Sequence, residues 1–328
     1  MEAQLDLDTP VDTSLASPYD VTDDVAGLKT LFVNLFFIGT PQRGDVGAGN
    51  PWVLVDAGLP GYAGQIRKKA EQLFGPGAKP TAIILTHGHF DHTGALKSLL
   101  KDWDVPVYAH PLELPYLTGK SSYPPPDPAI GGGFMSYSSF MFPVGPDDFG
   151  DRIQAIPADG NIPELPGWQV IHTPGHAPGH ISLFRESDRT LIAGDAFVTT
   201  NQNSAVSVIT QKEEFHGPPA YFTCDWAAAR QSVQTLADLN PLAVGTGHGV
   251  SVRGYELQIK LNHLADNFDQ QSIPSEGRYV KQAAVTDETG VVDMPAPTSY
   301  NVARTIGWSL LAGVLLYALW PKGRDDDD

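Results

Sequence analysis

The sequence predicts a layered α/β fold, and three observations carry that prediction. Short apolar runs bounded by Gly, Pro or polar residues recur along the chain, as buried strands do. Helix-periodic segments alternate with them, so the first third reads β, β, α, β, α, β. Of the 328 residues, 41% are hydrophobic and 18% charged, a balance that supports a sizeable core and argues against disorder.

Taken in order, Leu28 to Ile38 reads as the first strand, and Trp52 to Val55 and Ala82 to Leu85 as buried strands. Gly61 to Phe74 sets Ile66, Ala70 and Leu73 on one helical face and is closed by Gly75-Pro76. Gly94 to Lys101 is a shorter helix, followed by a strand from Val105 to Ala109. Strands resume at Gln169 to Ile171, Ile181 to Phe184 and Thr190 to Ala193. Asp225 is placed to cap an amphipathic helix that runs to Leu239. The strand Leu242 to Gly245 and a last helix, Tyr255 to Phe268, complete the pattern.

These elements define a folded unit over 27–270, preceded by an irregular acidic lead at 1–26. Within it, Leu114 to Gly150 breaks the periodicity with Pro124-Pro125-Pro126, Gly131-Gly132-Gly133 and scattered aromatic residues. Its length and aromatic content predict a loop shaping a pocket mouth, with a packed surface excursion as the alternative. Residues 271–301 turn polar and irregular, with Pro274, Pro295 and Pro297, and read as an extension or linker.

The segment 302–321 is apolar, and 322–328 is an acidic tail. Thr305 to Pro321 contains no charge; as a helix it would span roughly 25 Å, slightly short of a ~30 Å hydrocarbon core. Trp308, Tyr317 and Trp320 lie near its ends, with Arg304, Lys322 and Arg324 flanking it. The expectation is a transmembrane anchor that holds the large domain in the cytoplasm, or else a docked terminal helix. The first 25 residues have neither the basic start nor the apolar core of a secretory signal.

Charge and cysteine content narrow the chemistry. The formal charge of −17 repels phosphate backbones, which makes nucleic acid a poor partner. A lone cysteine, Cys224, rules out an intrachain disulfide and a thiolate-rich zinc cluster. Any metal site must therefore use His, Asp and Glu.

Such residues cluster directly after the strand Ala82 to Leu85, in Thr86-His87-Gly88-His89-Phe90-Asp91-His92-Thr93-Gly94. Three imidazoles and a carboxylate within six residues suit Zn²⁺, Fe²⁺ or Mn²⁺, whereas an apolar core would not bury them together. The string His87-Gly88-His89-Phe90-Asp91-His92 resembles the HxHxDH signature of the metallo-β-lactamase superfamily. Further elements resemble that family's in the same order: Val53-Leu54-Val55-Asp56-Ala57-Gly58 early, then Thr173-Pro174-Gly175-His176, Ala193-Gly194-Asp195 and Gly247-His248-Gly249.

The resemblance covers about Leu28 to Phe268 and implies an αββα four-layer sandwich, with 27–270 as the catalytic domain. It also implies that His87, His89 and His176 hold one divalent ion and that Asp91, His92 and His248 hold a second, with Asp195 bridging. Zinc is the first choice of metal, with iron or manganese as alternatives. Two such ions ~3.5–4 Å apart share a hydroxide and make it nucleophilic near neutral pH. The family further suggests that Asp91 handles a proton. Asp56 is a candidate acceptor for a ligand imidazole N–H, a turn-forming role being equally open. Among the other histidines, His180 and His110 are expected to be structural, His172 buried and hydrogen-bonded, and His216 and His263 at the surface.

Departures from the pattern narrow the activity. A bridging Asp195 argues against a true β-lactamase and points toward the glyoxalase II and lactonase-like branch. Quorum-quenching lactonases carry a tyrosine three residues past that aspartate, where this chain has Val198. The basic glutathione-binding region of glyoxalase II and the basic arm of the RNA-processing branch have no counterpart, and His89 argues against the flavodiiron branch. The expected activity is hydrolysis of an ester, lactone or thioester of a small to medium substrate. The alternatives are a mononuclear-iron, persulfide dioxygenase-like oxidoreductase and a phosphodiesterase of the same fold.

Overall fold

Two β-sheets lie face to face, with helices on both outer sides, in a computed structural model that describes residues 17–41, 50–131 and 133–298. The first sheet contains, in spatial order, β1 (Val25–Thr30), β2 (Val33–Ile38), β3 (Val53–Val55), β4 (Ala82–Ile84), β5 (Val107–Ala109) and β6 (Ile153–Ala155). Strands β1 to β3 pair antiparallel and β3 to β6 parallel. Parallel neighbours need a crossover. Helix α1 (Ala63–Phe74) supplies the one between β3 and β4, and α2 (Phe90–Thr93) with α3 (Leu96–Asp102) the one between β4 and β5.

The second sheet contains β7 (Trp168–His172), β8 (Ile181–Arg185), β9 (Thr190–Gly194), β10 (Ala243–Thr246) and β11 (Val252–Arg253), in the order β11-β10-β9-β8-β7. Only β9 and β10 pair parallel in this sheet.

The two-residue period of each strand sorts side chains into layers. Along β2, Phe36 and Ile38 join Val53, Val55 and Ile84 in a core shared with Ile181, Leu183, Ile192 and Ala243 of the other sheet. The alternate residues Leu35, Phe37, Leu54 and Ile83 face the opposite way, onto Ile66 and Ala70 of α1 and Leu96 and Leu99 of α3. On the far side, Phe184, Leu191, Ala193 and Val244 pack beneath α-helices from the C-terminal half. Both faces of the central strands are buried, so their sequences read as continuous apolar runs. The αββα sandwich is the observed architecture.

The expected single strand Leu28 to Ile38 is instead the β1–β2 hairpin, registered as Thr30↔Val33. Leu31 makes the turn at φ 61° in place of a glycine or asparagine, so an apolar run conceals the reversal. Residues 114–150 form short helical pieces, α4 (Leu114–Leu117) and α5 (Phe134–Ser138), joined by 3₁₀ turns. After β9 come α6 (Ala205–Thr210) and α7 (Trp226–Asp238), the latter capped by Asp225 Oδ1 accepting from Ala228 N–H at 3.0 Å. The expected helix Tyr255 to Phe268 breaks at Asn267 into α8 (Tyr255–Asp266) and α9 (Phe268–Gln271).

Residues 272–298 fold back over the 115–125 region. Tyr279 Oη donates to Pro125 O at 2.8 Å, and the hairpin of β12 (Val285–Asp287) and β13 (Gly290–Asp293) places Val291 N–H 3.2 Å from Ser121 Oγ. Among the described residues no helix is long and apolar enough to cross a membrane. The apolar segment expected at 302–321, the tail at 322–328 and the first 16 residues of the lead lie outside the described residues.

Candidate metal centre

Chain segments leaving strands of both sheets build the site. His87, His89, Asp91 and His92 follow β4, His176 follows β7, Asp195 follows β9 directly, and His248 follows β10. Main-chain bonds stitch the two sheets together at this edge: Ile181 N–H donates to Thr86 O at 2.9 Å, and Asn34 N–H to Gly247 O at 2.7 Å. Asn34 also sends its side-chain amide to Thr246 O and Gly249 O. The loops that carry His87 and His248 are thereby fixed to the opposing sheet.

All seven candidate residues meet, and all seven are buried. Three overlapping groups have ligand atoms within 4.8 Å of one another: His87, His89 and His176; His87, His92 and Asp195; Asp91, His92 and His248. Asp195 Oδ2 sits centrally, 3.1 Å from His248 Nε2, 3.5 Å from His176 Nε2 and 3.6 Å from His92 Nε2. His248 Nε2 is also 3.6 Å from Asp91 Oδ2, and His89 Nδ1 is 3.0 Å from His176 Nε2.

The surrounding hydrogen bonds set the imidazole tautomers. His92 donates Nδ1–H to Asp56 Oδ2 at 2.8 Å, and His248 donates Nδ1–H to Phe32 O at 2.8 Å. Thr86 spends its hydroxyl proton on Asp56 Oδ2, so its oxygen accepts from His87 Nδ1–H at 3.1 Å. Each of these rings is left with an Nε2 lone pair for the cluster. Asp56 also accepts Thr86 N–H at 2.8 Å, and it holds this position at φ 65°, a strained backbone conformation at the foot of the site.

The residues fit divalent cations. His87 Nε2, His92 Nε2 and Asp195 Oδ1 are buried and have no hydrogen-bond partner in the protein, an arrangement that is costly unless another group binds them. The donors are imidazole nitrogen and carboxylate oxygen, the set that zinc, iron and manganese accept. The local potential points the same way. Burial drives His87 and His89 well below the usual imidazole range, and it takes His176 down to about 4 against the opposing pull of Asp195. Burial would lower His92 and His248 as well, but carboxylates led by Asp195 overcome it and hold both above that range. Burial resists ionisation of Asp195, yet His248 and His92 keep its carboxyl well below the usual range. His87, His89 and His176 thus stand neutral, and the carboxylates that hold protons on His92 and His248 create a negative potential that a divalent cation would answer in their place, displacing those protons as coordination requires.

The remaining histidines separate clearly. His180 accepts Asp195 N–H on Nε2 at 2.8 Å, so its Nδ1–H donates to Thr173 Oγ1 at 2.8 Å and the ring supports Asp195 from behind. His216 pairs with Glu214, and His263 with Gln271. His172 makes the expected hydrogen bond, donating Nε2–H to Pro178 O at 3.0 Å. Its expected burial is not found, because β7 is an edge strand: the ring lies exposed there, stacked on His110 with ring centroids 4.2 Å apart.

His110 itself stays outside the cluster and accepts Leu112 N–H on Nδ1 at 3.2 Å, capping a 3₁₀ turn. Burial, with His172 adding, holds it down to about 4. Its neutral ring therefore contributes stability in full above its ordinary value of 6.5, and that stability is lost as pH falls from there through about 4. His110→Asn, which keeps an acceptor at the cap, is expected to flatten this acid limb in urea midpoints measured against pH. An unaltered limb would contradict that assignment.

Sequence reasoning missed several residues that shape the site. Tyr123 and Phe222 both pack against His89, with ring centroids 4.6 and 4.5 Å away. Phe32 stacks beside His248 at 6.2 Å, and Phe142 meets Phe90, Tyr221 and Phe222 at 5.6, 5.8 and 6.1 Å. Glu113 is fully buried between the two histidine loops. Its one advance signal is an acidic residue inside the otherwise uncharged run Pro111 to Leu117.

Comparison with known proteins agrees with this geometry. A probable metallo-hydrolase of Bacillus subtilis (strain 168), YflN, is 46% identical over 248 residues, covering 76% of this chain and 92% of that protein. A second from the same organism, YybB, is 30% identical over 62% of this chain and 78% of that protein. The hydroxyacylglutathione hydrolase GloC of Haemophilus influenzae is 28% identical over 34% of this chain and 48% of that protein. The family model of the metallo-beta-lactamase superfamily matches residues 33–248, a span that begins in β2 and ends on His248. With strands β2 to β10 and all seven residues of the cluster inside that match, the chain belongs to the metallo-beta-lactamase superfamily.

Proposed function

We propose that this metallo-hydrolase cleaves an ester, thioester or lactone of small to medium size at a pair of divalent ions. The observation that carries the reading is the overlap of the three donor groups through His87 and His92, with Asp195 Oδ2 central among the imidazoles, which suits two ions side by side rather than one. In this reading His87, His89 and His176 hold one ion, Asp91, His92 and His248 the other, and Asp195 serves both. When bound, the ions supply Lewis acidity to the substrate oxygen and lower the pKa of water.

The protein's own groups do the rest. Asp56, Phe32 O and Thr86 hold His92, His248 and His87 in fixed orientations, so the ligands need little rearrangement during the reaction. Asp91, at the start of α2, takes the proton released by the attacking water and returns it to the leaving oxygen or sulfur. Tyr221 keeps its phenolic proton, because burial and then the Asp91 and Asp195 carboxylates push it well above the ordinary range.

Phe32, Phe90, Phe142 and Phe222 form an apolar wall beside the cluster, which favours a substrate with an acyl or aryl part. The −17 charge of the chain disfavours polyanions. The thioester in the proposed range gains support from the short match to GloC.

A panel of aryl esters, acyl thioesters, lactones and phosphodiesters, run on protein of measured metal content, tests the proposal. The expected result is turnover of the carbonyl substrates with two ions per chain. Turnover of phosphodiesters alone, or one iron per chain with oxygen consumed on a persulfide, would replace it with another reaction.

A further inference from the structure

Glu113 carries a carboxylate that the site's chemistry does not use. It ends the 3₁₀ turn Pro111–Glu113 and is fully buried, and its hydrogen bonds run to Gly88, Gly179 and Tyr123, none of them a cation. Its two oxygens reach in different directions. Oε2 accepts Gly88 N–H at 2.9 Å, the amide between His87 and His89. Oε1 accepts Gly179 N–H at 2.7 Å, in the loop that runs from His176 to His180. Tyr123 donates its hydroxyl to Oε2 and also accepts Gly88 N–H at 2.9 Å, while its ring lies against His89. Three donors meeting one buried carboxylate offset its desolvation, a costly arrangement for a loop that needed no special position.

The packing around the carboxylate leaves no slack. A Cβ at Gly179 would come within 2.8 Å of Glu113 Cγ and 3.0 Å of Oε1, and one at Gly88 within 2.6 Å of the Tyr123 hydroxyl. Both loops approach so closely because each is a glycine at the point of contact. The spacing set there is the one a cation reads: His89 Nδ1 and His176 Nε2 sit 3.0 Å apart, one on each clamped loop.

We propose that Glu113, braced by Tyr123, is a positioning residue that clamps the two histidine loops together and so sets the affinity of the His87, His89 and His176 site selectively. The second group, Asp91, His92 and His248, is held by Asp56 and Phe32 O and does not touch the clamp. The inference rests on the two-ion reading above. A glutamine in place of Glu113 has nearly the same shape but a single acceptor oxygen, so its NH₂ would face one of the two backbone N–H groups and release that loop.

The test is a zinc titration of the full chain against a chromophoric chelator. The step lost in His89→Ala and the step lost in His248→Ala identify the two sites. Glu113→Gln is expected to weaken the step lost in His89→Ala by roughly 10–100-fold, as loss of a partner behind a metal ligand typically does, and to leave the other step within about threefold. Tyr123→Phe, which keeps the carboxylate, is expected to weaken the same step by a smaller factor, and it carries the test if Glu113→Gln does not yield folded protein. Equal weakening of both steps, which a general loss of folding would produce, overturns the clamp, as does no change in either. If the unaltered protein takes up a single zinc, the two-ion reading falls. The clamp is then judged on that ion alone: a loss of 10-fold or more in Glu113→Gln upholds it, and a smaller one refutes it.

Discussion

Asp195→Asn is expected to cut kcat/KM by two to four powers of ten while the chain remains folded. One oxygen of Asp195 lies within 3.6 Å of three imidazole nitrogens on three different loops, and the other is buried without a partner. Removing one partner from a buried charge cluster costs about 3–5 kcal/mol. At ~1.4 kcal/mol per factor of ten, that is the stated loss if it falls on the transition state. Asparagine keeps the shape and the backbone N–H bond to His180, so only the charge and one acceptor are lost. Metal content measured on the same preparation should fall below that of the unaltered protein. Activity retained within tenfold would show that Asp195 is not at the centre of the reaction.

The second large effect is expected from metal removal. Dialysis against a strong chelator should abolish hydrolysis, and added zinc, manganese or iron should restore it. The same treatment should lower the thermal midpoint, because the cluster binds ions only when folded. A ligand present at about 1,000 times its Kd stabilises the folded state by roughly 4 kcal/mol. At ~2–4 °C per kcal/mol for a fold of this size, the midpoint should drop by roughly 8–16 °C. The buried, unpartnered Nε2 atoms of His87 and His92 are the reason for that dependence. A stripped protein with unchanged midpoint and full activity would remove the metal from the mechanism.

Much of this site is legible in the chain alone. His87, His89, Asp91 and His92 announce themselves because one turn after one strand carries them all, and so many polar donors crowd together at low cost only around a cation. His176, Asp195 and His248 are readable only as members of a known order of motifs, since each is a lone residue at a strand end. The layers of the sandwich are legible for a physical reason of their own. Central strands buried on both faces must be short and apolar throughout, and Trp52 to Val55 and Ala82 to Leu85 read that way. The β1–β2 turn escapes for the converse reason: Leu31 takes a left-handed conformation that its side chain gives no warning of.

The residues by themselves thus determined a layered α/β fold and the cluster His87 to His92, because ligand chemistry and strand burial each restrict which side chains can stand where; the family, the sandwich and the other three residues followed from the resemblance that the order of motifs carries. Tertiary structure alone decided which nitrogen these imidazoles offer, since that depends on Asp56 and the Phe32 carbonyl, brought from other strands, and for His87 on the neighbouring Thr86, whose hydroxyl donates to Asp56. It also decided that Glu113 ties Gly88 to Gly179 and that Phe222 faces His89. Apart from the neighbours Thr86 and His87, these are contacts between residues tens to more than two hundred positions apart, and no local spacing in the chain encodes them. They form because two sheets close on a common core, and that closure is a property of the whole fold.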